Sequence, residues 1–258
     1  MIFCSAVSEQ EYHFPLSYND YKTFDTIIPF SGYWLSENYY ENIINNKSPK
    51  AAQNNSYVVV IPDRTLKATT ILYDFHDGFD YYTTVWNLNQ FEIWEVNDDI
   101  ISNFINKIEV ISPTRIKIGQ DYFLKINPET KHGFLHNGLK DEILVLEEIL
   151  FMGNYLTNDG KKVKLDKDGQ IRGLDKYYYY KPYTDYYDEG MQVDQLILIK
   201  SKRDLDWKDC EEFGYRFNSD TLELYKLKCL VFDSVSNNCA EVELGELKYK
   251  LLKINNNR

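Results

Sequence analysis

Few places in this chain bring together residue types that do chemistry, and each also has a plain structural reading. His76-Asp77 lies between Asp74 and Asp80. Imidazole and carboxylates are metal donors, but His-Asp-Gly is equally the composition of a tight turn, and the turn reading is preferred. His132 and His136 are four apart, a spacing that would put both rings on one helix face. Gly133 and Gly138 argue against a helix there. Asp185, Asp188 and Glu189, interleaved with Tyr183, Tyr186 and Tyr187, read either as a solvated acidic loop or as a calcium or sugar contact, with Gly190 a loose fit to a calcium loop. Asp166, Asp168 and Gly169 read as a hairpin turn, because no glutamate follows at EF-hand distance. Gly-x-Ser-x-Gly, Cys-x-x-Cys and a glycine-rich phosphate loop are all absent from the sequence. Carboxylates are plentiful enough for a glycosidase-type pair, and an enzyme using barrel carboxylates and tyrosines stays a third alternative, but nothing specific marks one, so the expectation is no enzyme, no cofactor and no metal.

The aromatic side chains are the remaining chemical signal. Trp34, Trp86, Trp94, Tyr177 and Tyr179 fall in predicted strands. On an inward face they would line a ligand cavity, apolar with a few hydroxyls to orient a guest. Alternatively they are core, since small barrels are often filled by their own side chains.

The elements that would position them are short strands. Gly32 to Ser36, Tyr57 to Ile61, Ala68 to Phe75, Tyr81 to Trp86, Phe91 to Val96 and Lys107 to Ile111 follow in quick succession. A hairpin comprises Arg115 to Ile118 and Tyr122 to Ile126, with Ile116 and Ile118 alternating against Arg115 and Lys117. Glu37 to Asn45 predicts one or two helical turns, and Asp141 to Leu150 a short helix or, through Ile143-Leu144-Val145-Leu146, a strand. Later strands are predicted at Tyr155, Val163 to Leu165, Gln170 to Gly173, Tyr177 to Tyr180, Val193 to Lys200, Phe213 to Phe217, Thr221 to Leu227, Cys229 to Phe232 and Glu246 to Leu252. Asn158-Asp159-Gly160 and Asp166-Lys167-Asp168-Gly169 supply the turns. Many short strands with frequent turns indicate antiparallel barrels or sandwiches.

The chain also repeats itself. Phe30-Ser31-Gly32-Tyr33-Trp34-Leu35-Ser36 has a counterpart in Phe151-Met152-Gly153-Asn154-Tyr155-Leu156-Thr157, with the two glycines 121 residues apart. That interval is a domain duplication; solenoid repeats are shorter. Gly-x-Trp opening the first of many antiparallel strands resembles the lipocalin (calycin) superfamily, and the pattern extends over residues 27 to 254. The resemblance implies an eight-stranded barrel with Trp34 across its bottom, packed against a late arginine, for which Arg115 is the available residue. The second copy has Tyr155 in place of tryptophan and is closer to small lipocalin-like domains of secreted bacterial proteins.

Composition limits the partners. A net charge of −11 disfavours nucleic acid and anionic lipid surfaces. No apolar run approaches 18 residues, so no membrane span is expected. Aromatics make up 16% of the chain, with 22 tyrosines against 14 phenylalanines, suited to half-buried strand positions. Met1 to Ser8 reads as the tail of an export signal, with Cys4 a weak candidate for lipidation because Phe3 is bulky. Cys229 and Cys239 flank an apparent turn and either bridge in an oxidising compartment or stay, with Cys210, as unpaired thiols.

The expectation is an all-β protein of two tandem antiparallel lipocalin-like barrels (otherwise one larger barrel or a β-sandwich pair). Residues 1–22 lead in, 23–130 form the first barrel and 131–258 the second. The expected role is an exported, non-catalytic protein, periplasmic, cell-surface or secreted from a bacterium, holding a small apolar or aromatic ligand. The alternative is an interaction protein with filled barrels that meets a protein or glycan through the tyrosine-rich acidic loop.

Overall fold

The computed structural model describes residues 26–53, 57–65, 70–74, 78–87, 90–97, 100–127, 129–132, 141–184, 186, 192–200, 207–234 and 238–254. The expectations for Met1 to Ser8, Cys4, His76-Asp77, His136 and most of the acidic loop (Asp185, Tyr187, Asp188, Glu189, Gly190) lie outside those residues. The chain divides into two compact units, 1–37 with 57–126 and 38–56 with 127–258. Residues 38–56, which the sequence reading placed in the first barrel, thus lie with the second unit.

The first unit is a closed antiparallel barrel of eight strands in sequence order. They are β1 (Gly32–Ser36), β2 (Tyr57–Ile61), β3 (Thr70–Asp74), β4 (Gly78–Asn87), β5 (Gln90–Asn97), β6 (Ile100–Ser112), β7 (Arg115–Ile118) and β8 (Asp121–Ile126). Closure comes from β8 returning to β1, with Trp34 opposite Lys125 and Ser36 opposite Phe123. Cross-strand partners share a face and neighbours alternate, so the register fixes what points inward. Trp34 faces Val59, Val59 faces Leu72, Thr84 faces Ile93, and Phe91 faces Ile108. These inward positions, with Ile28 and Phe30 entering ahead of β1, form one buried cluster that includes Ile61, Ile116, Ile118 and Phe123. Burial of such side chains stabilises a barrel by about 1.5–3 kcal/mol each.

In the second unit, α1 (Glu37–Asn46, from Asn38 onward) and α2 (Pro49–Ala52) lie with a second eight-stranded sheet. Ser48 caps α2, its hydroxyl accepting from Ala51 N at 3.1 Å. Lys47 Nζ donates to the Ser219 carbonyl at 2.5 Å, and Lys50 N donates to Asp194 Oδ1 at 3.0 Å. Between the sheets come a two-stranded ribbon, β9 (Glu129–His132) and β10 (Asp141–Leu144), and a π-helical turn at Glu147–Phe151. The predicted helix from Asp141 thus begins as a strand, because Ile143 and Leu144 pair with Thr130 and Glu129.

The second sheet comprises β11 (Gly153–Thr157), β12 (Lys162–Leu165), β13 (Ile171–Arg172), β14 (Tyr179–Pro182), β15 (Gln195–Ile199), β16 (Cys210–Asn218), β17 (Thr221–Asp233) and β18 (Asn238–Lys253). It runs in sequence order from β11 to β13, then from β14 to β18 and back to β11. The gap between β13 and β14 is spanned by an isolated Gln170–Tyr179 bridge and by Ile171 N to the Tyr178 carbonyl, 2.7 Å. The protein is therefore two tandem antiparallel β-barrels, the second nearly closed. The inward face of the second carries Tyr155, Val163, Leu165, Tyr180, Leu198, Phe213, Tyr215, Leu222, Leu224 and Leu251, all buried. The strands predicted at Thr221 and Cys229 are one bulged strand, and β18 is longer than predicted; no glycine or proline interrupts β17, and the register shifts absorb the irregularity.

Candidate functional site

The two glycine-aromatic motifs are built alike. Trp34 Nε1 donates to the Phe30 carbonyl at 2.9 Å, and Tyr155 Oη donates to the Phe151 carbonyl at 2.6 Å, both four residues back. Lys125 Nζ lies 5.4 Å from the Trp34 ring, and Lys253 Nζ 5.9 Å from the Tyr155 ring. Each lysine comes from the last strand of its barrel, directly opposite the aromatic. The late basic partner is thus Lys125. Arg115 instead takes an outward position on β7, binds Glu37 at 2.7 Å and covers the Tyr122 ring. A signal for the lysines was present in the sequence: Leu124-Lys125-Ile126-Asn127 recurs as Leu252-Lys253-Ile254-Asn255.

Of the five aromatics expected to line a cavity, the register brings Trp34 and Trp86 inward, and Tyr177, just ahead of β14, packs against the inward Phe213. Trp34 is fully buried in the plug of the first barrel. Trp86 faces Phe91, their rings 4.5 Å apart, yet stays 41% exposed. Tyr177 is buried in the second unit, edge-on to Phe213 and Tyr249. Trp94 and Tyr179 take outward positions, because Ile93 and Tyr180 beside them point in. Trp94 Nε1 donates to the buried Glu92 at 3.0 Å. The five do not converge on one site.

Around Tyr177 the second barrel does gather charge. Tyr177 donates to Glu211, which also accepts from Lys176 at 3.1 Å, from Lys200, and from Lys226 at 3.5 Å. Burial works to raise the Glu211 pKa, but the bonds from Lys200, Tyr177 and Lys176 and the Lys226 charge outweigh it and hold the carboxyl far below its usual range. Burial, then the bond to Glu211, pushes the Tyr177 phenol well up. A carboxylate held ionised by three ammonium groups and a phenol is a structural knot.

Beside this knot opens a cleft of about 210 Å³. Its walls come from the β11–β12 turn (Thr157, Asn158, Asp159, Lys161), from Gly173 to Asp175, and from Lys248, Tyr249 and Lys250 on β18. β11 pairs with β18 from Tyr155 against Lys253 to Thr157 against Leu251 and ends there, while β18 includes Lys250, Tyr249 and Lys248 beyond it, which leaves the gap. Gly173 has φ +87°, and a Cβ there would sit 2.1 Å from the Lys162 carbonyl. Only glycine fits that wall. Asp175 holds φ +40°, a conformation that costs a non-glycine residue energy. Tyr249 Oη donates to Asp175 Oδ2 at 3.1 Å, and its pKa is pushed up to about 12, by burial first and then by that bond.

Away from the barrel, β17 and β18 continue together as a ribbon, Cys229 pairing with Val242 and Phe232 with Cys239. Cys229 and Cys239 form a disulfide, their Cα atoms 5.6 Å apart; Cys210 is half-buried on β16. At the ribbon end three consecutive apolar residues face solvent: Leu230, Val231 and Phe232, the last 62% exposed. The contact expected from the sequence for the alternative, interaction role is the tyrosine-rich acidic loop at 183–190. Of that loop, Tyr186 is buried and bonds the Gln195 backbone, and Tyr183 donates to Glu212 at 2.9 Å.

Among the described residues no group of three or more histidine, cysteine, aspartate or glutamate side chains is placed to hold a metal ion, and no helix is long and apolar enough to cross a membrane. Comparison of the chain with models of known protein families, with curated proteins and with solved structures finds no match.

Proposed function

We propose that the protein is a non-catalytic interaction protein whose barrels are scaffolds packed by their own side chains, and whose β17–β18 ribbon makes the contact with a protein partner. The observation that carries this reading is the ribbon end, where a disulfide ties the two strands together and Leu230, Val231 and Phe232 are all exposed. Adjacent exposed apolar side chains on a rigid element suit a partner interface, because little ordering entropy is lost on docking. The buried aromatics inside both barrels support the scaffold role. The bridge supports an exported protein, since disulfides persist in oxidising compartments. The sequential eight-strand order and the Gly-x-Trp plug support a lipocalin-like origin. The test is a photo-crosslinking residue at Asp233 in the native host. One discrete protein adduct, abolished by Leu230→Asp with Phe232→Asp, is expected; an adduct unchanged by those substitutions, or none, contradicts the reading.

A second reading, a small apolar guest in the first barrel, draws on Trp86, which faces inward against Phe91 yet is 41% exposed. Titration with an anilinonaphthalene dye tests it. Binding that quenches tryptophan fluorescence and is lost in Trp86→Ala supports it, and binding unaffected by that substitution contradicts it.

A further inference from the structure

We infer that the cleft between the β11–β12 turn and β18 is a binding site for a single neutral sugar ring, presented by a glycan or free in solution. The volume of about 210 Å³ lies below the roughly 300–1,000 Å³ of drug-sized sites. That is room for one pyranose, not for a lipid or an extended peptide. The lining has the mixed character that sugars require. Tyr249 is a half-buried aromatic whose ring is held by Tyr177 at 6.2 Å and Phe213 at 6.1 Å, and sugar C–H faces stack on such rings. Asn158, Thr157, Asp159 and Asp175 supply amide, hydroxyl and carboxylate groups at the rim, matched to hydroxyls that both donate and accept.

The charges select a neutral ligand. Lys161 is paired with Asp159 at 2.9 Å, Lys248 with Glu246 at 2.6 Å and Lys250 with Glu223 at 3.6 Å. Each lysine of the cleft therefore already has its anion, and a phosphate or carboxylate ligand would have to displace a protein carboxylate. The backbone adds an independent sign. Gly173 is the residue that lets the wall approach Lys162, and Asp175 sits beside it in a left-handed conformation that glycine would adopt without strain. Asp175 thereby keeps its carboxylate at the rim of the cleft, where it accepts from Tyr249.

The test is heteronuclear NMR on the full chain with D-glucose, D-galactose, D-mannose and N-acetyl-D-glucosamine, and with inorganic phosphate as the competing anion. At least one of the four sugars is expected to shift the amides of Gly173 and Tyr249, with phosphate producing no shift there. Tyr249→Ala should weaken that binding about tenfold or more. Because Tyr249 also packs against Tyr177, Asp175→Gly is the second variant. It should leave thermal stability close to that of the wild type, relief of the positive φ offsetting the lost Tyr249 bond, while weakening the sugar at least severalfold. No shift at the cleft with any of the four sugars, a stronger response to phosphate, or Asp175→Gly binding as the wild type does would overturn the inference. The crosslinking result at the ribbon end bears on none of these outcomes.

Discussion

Replacing Tyr155 by phenylalanine removes one atom from the most enclosed part of the second barrel. Tyr155 is fully buried, and its hydroxyl donates to the Phe151 carbonyl at 2.6 Å. The ring stays, so no cavity opens. What is lost is a buried hydrogen bond, and a carbonyl is left without that donor, at a cost of about 1–3 kcal/mol. For a unit of this size that is a loss of about 2–4 °C in Tm per kcal/mol. Burial holds the Tyr155 phenol well above its ordinary pKa, so it stays protonated and the loss should be the same from mildly acidic to mildly alkaline pH. Urea unfolding with amide exchange read on β11 and β12 peptides measures it in the second unit alone. A change below about 0.5 kcal/mol, or one that varies with pH across that range, would refute the assignment of the hydroxyl as the tie between strand and preceding turn. Trp34→Phe in the first unit should cost more, because it removes the equivalent bond and also indole volume from a packed cluster.

Glu211→Gln should destabilise the second unit by about 2 kcal/mol. Because the folded-state pKa of Glu211 is lowered, its contribution is present above the unfolded glutamate range and is lost as pH falls through the folded value; denaturant melts of wild type and variant should converge in acid. Asp194 runs the other way: burial raises its pKa despite bonds from Ser48 and Lys50, so its ionised form destabilises the fold above the raised value. Asp194→Asn should therefore equal or exceed wild-type stability at neutral pH, with the difference shrinking as pH falls through that value, whereas Asp194→Ala should lose the Lys50 bond and destabilise by about 1–3 kcal/mol. Cys229→Ser with Cys239→Ser should speed amide exchange in the ribbon, residues 228 to 233 and 238 to 243, while leaving exchange in β11 and β12 unchanged, since the bridge spans only 10 residues of sequence.

Much of the architecture was legible because it depends on period and punctuation. Ile116 and Ile118 alternate with charge and do point inward, and Asp168-Gly169 does turn the chain, with Gln170 N bonding Asp168 at 3.1 Å. The Gly-x-aromatic repeat marked the start of each barrel. Strand lengths were less visible. β6 and β18 run beyond their apolar cores through residues such as Asn103 and Glu243, where register and bulges rather than hydrophobicity set the bounds. The facing of Trp94 was not settled by residue type, because Phe91 and Ile93 alternate against Glu92 and Trp94, each face carries an apolar residue, and all four are buried. The helical segment 38–53 looked like an excursion of the first barrel, because sequence adjacency says nothing about which core Tyr39 and Ile43 enter. The cleft was invisible because it is made by the separation of β11 from β18, a property of register, and its residues are ordinary turn and strand residues taken singly.

The measurement closest to the central claim is the native mass of the protein released gently from its natural source, compared with its mass after denaturing extraction. The account predicts a complex with a second protein that is absent when the source carries Leu230→Asp with Phe232→Asp, and no tightly held apolar guest lost on denaturation. A protein carrying a discrete apolar small molecule and no protein partner, in the wild type and in that variant alike, would contradict it.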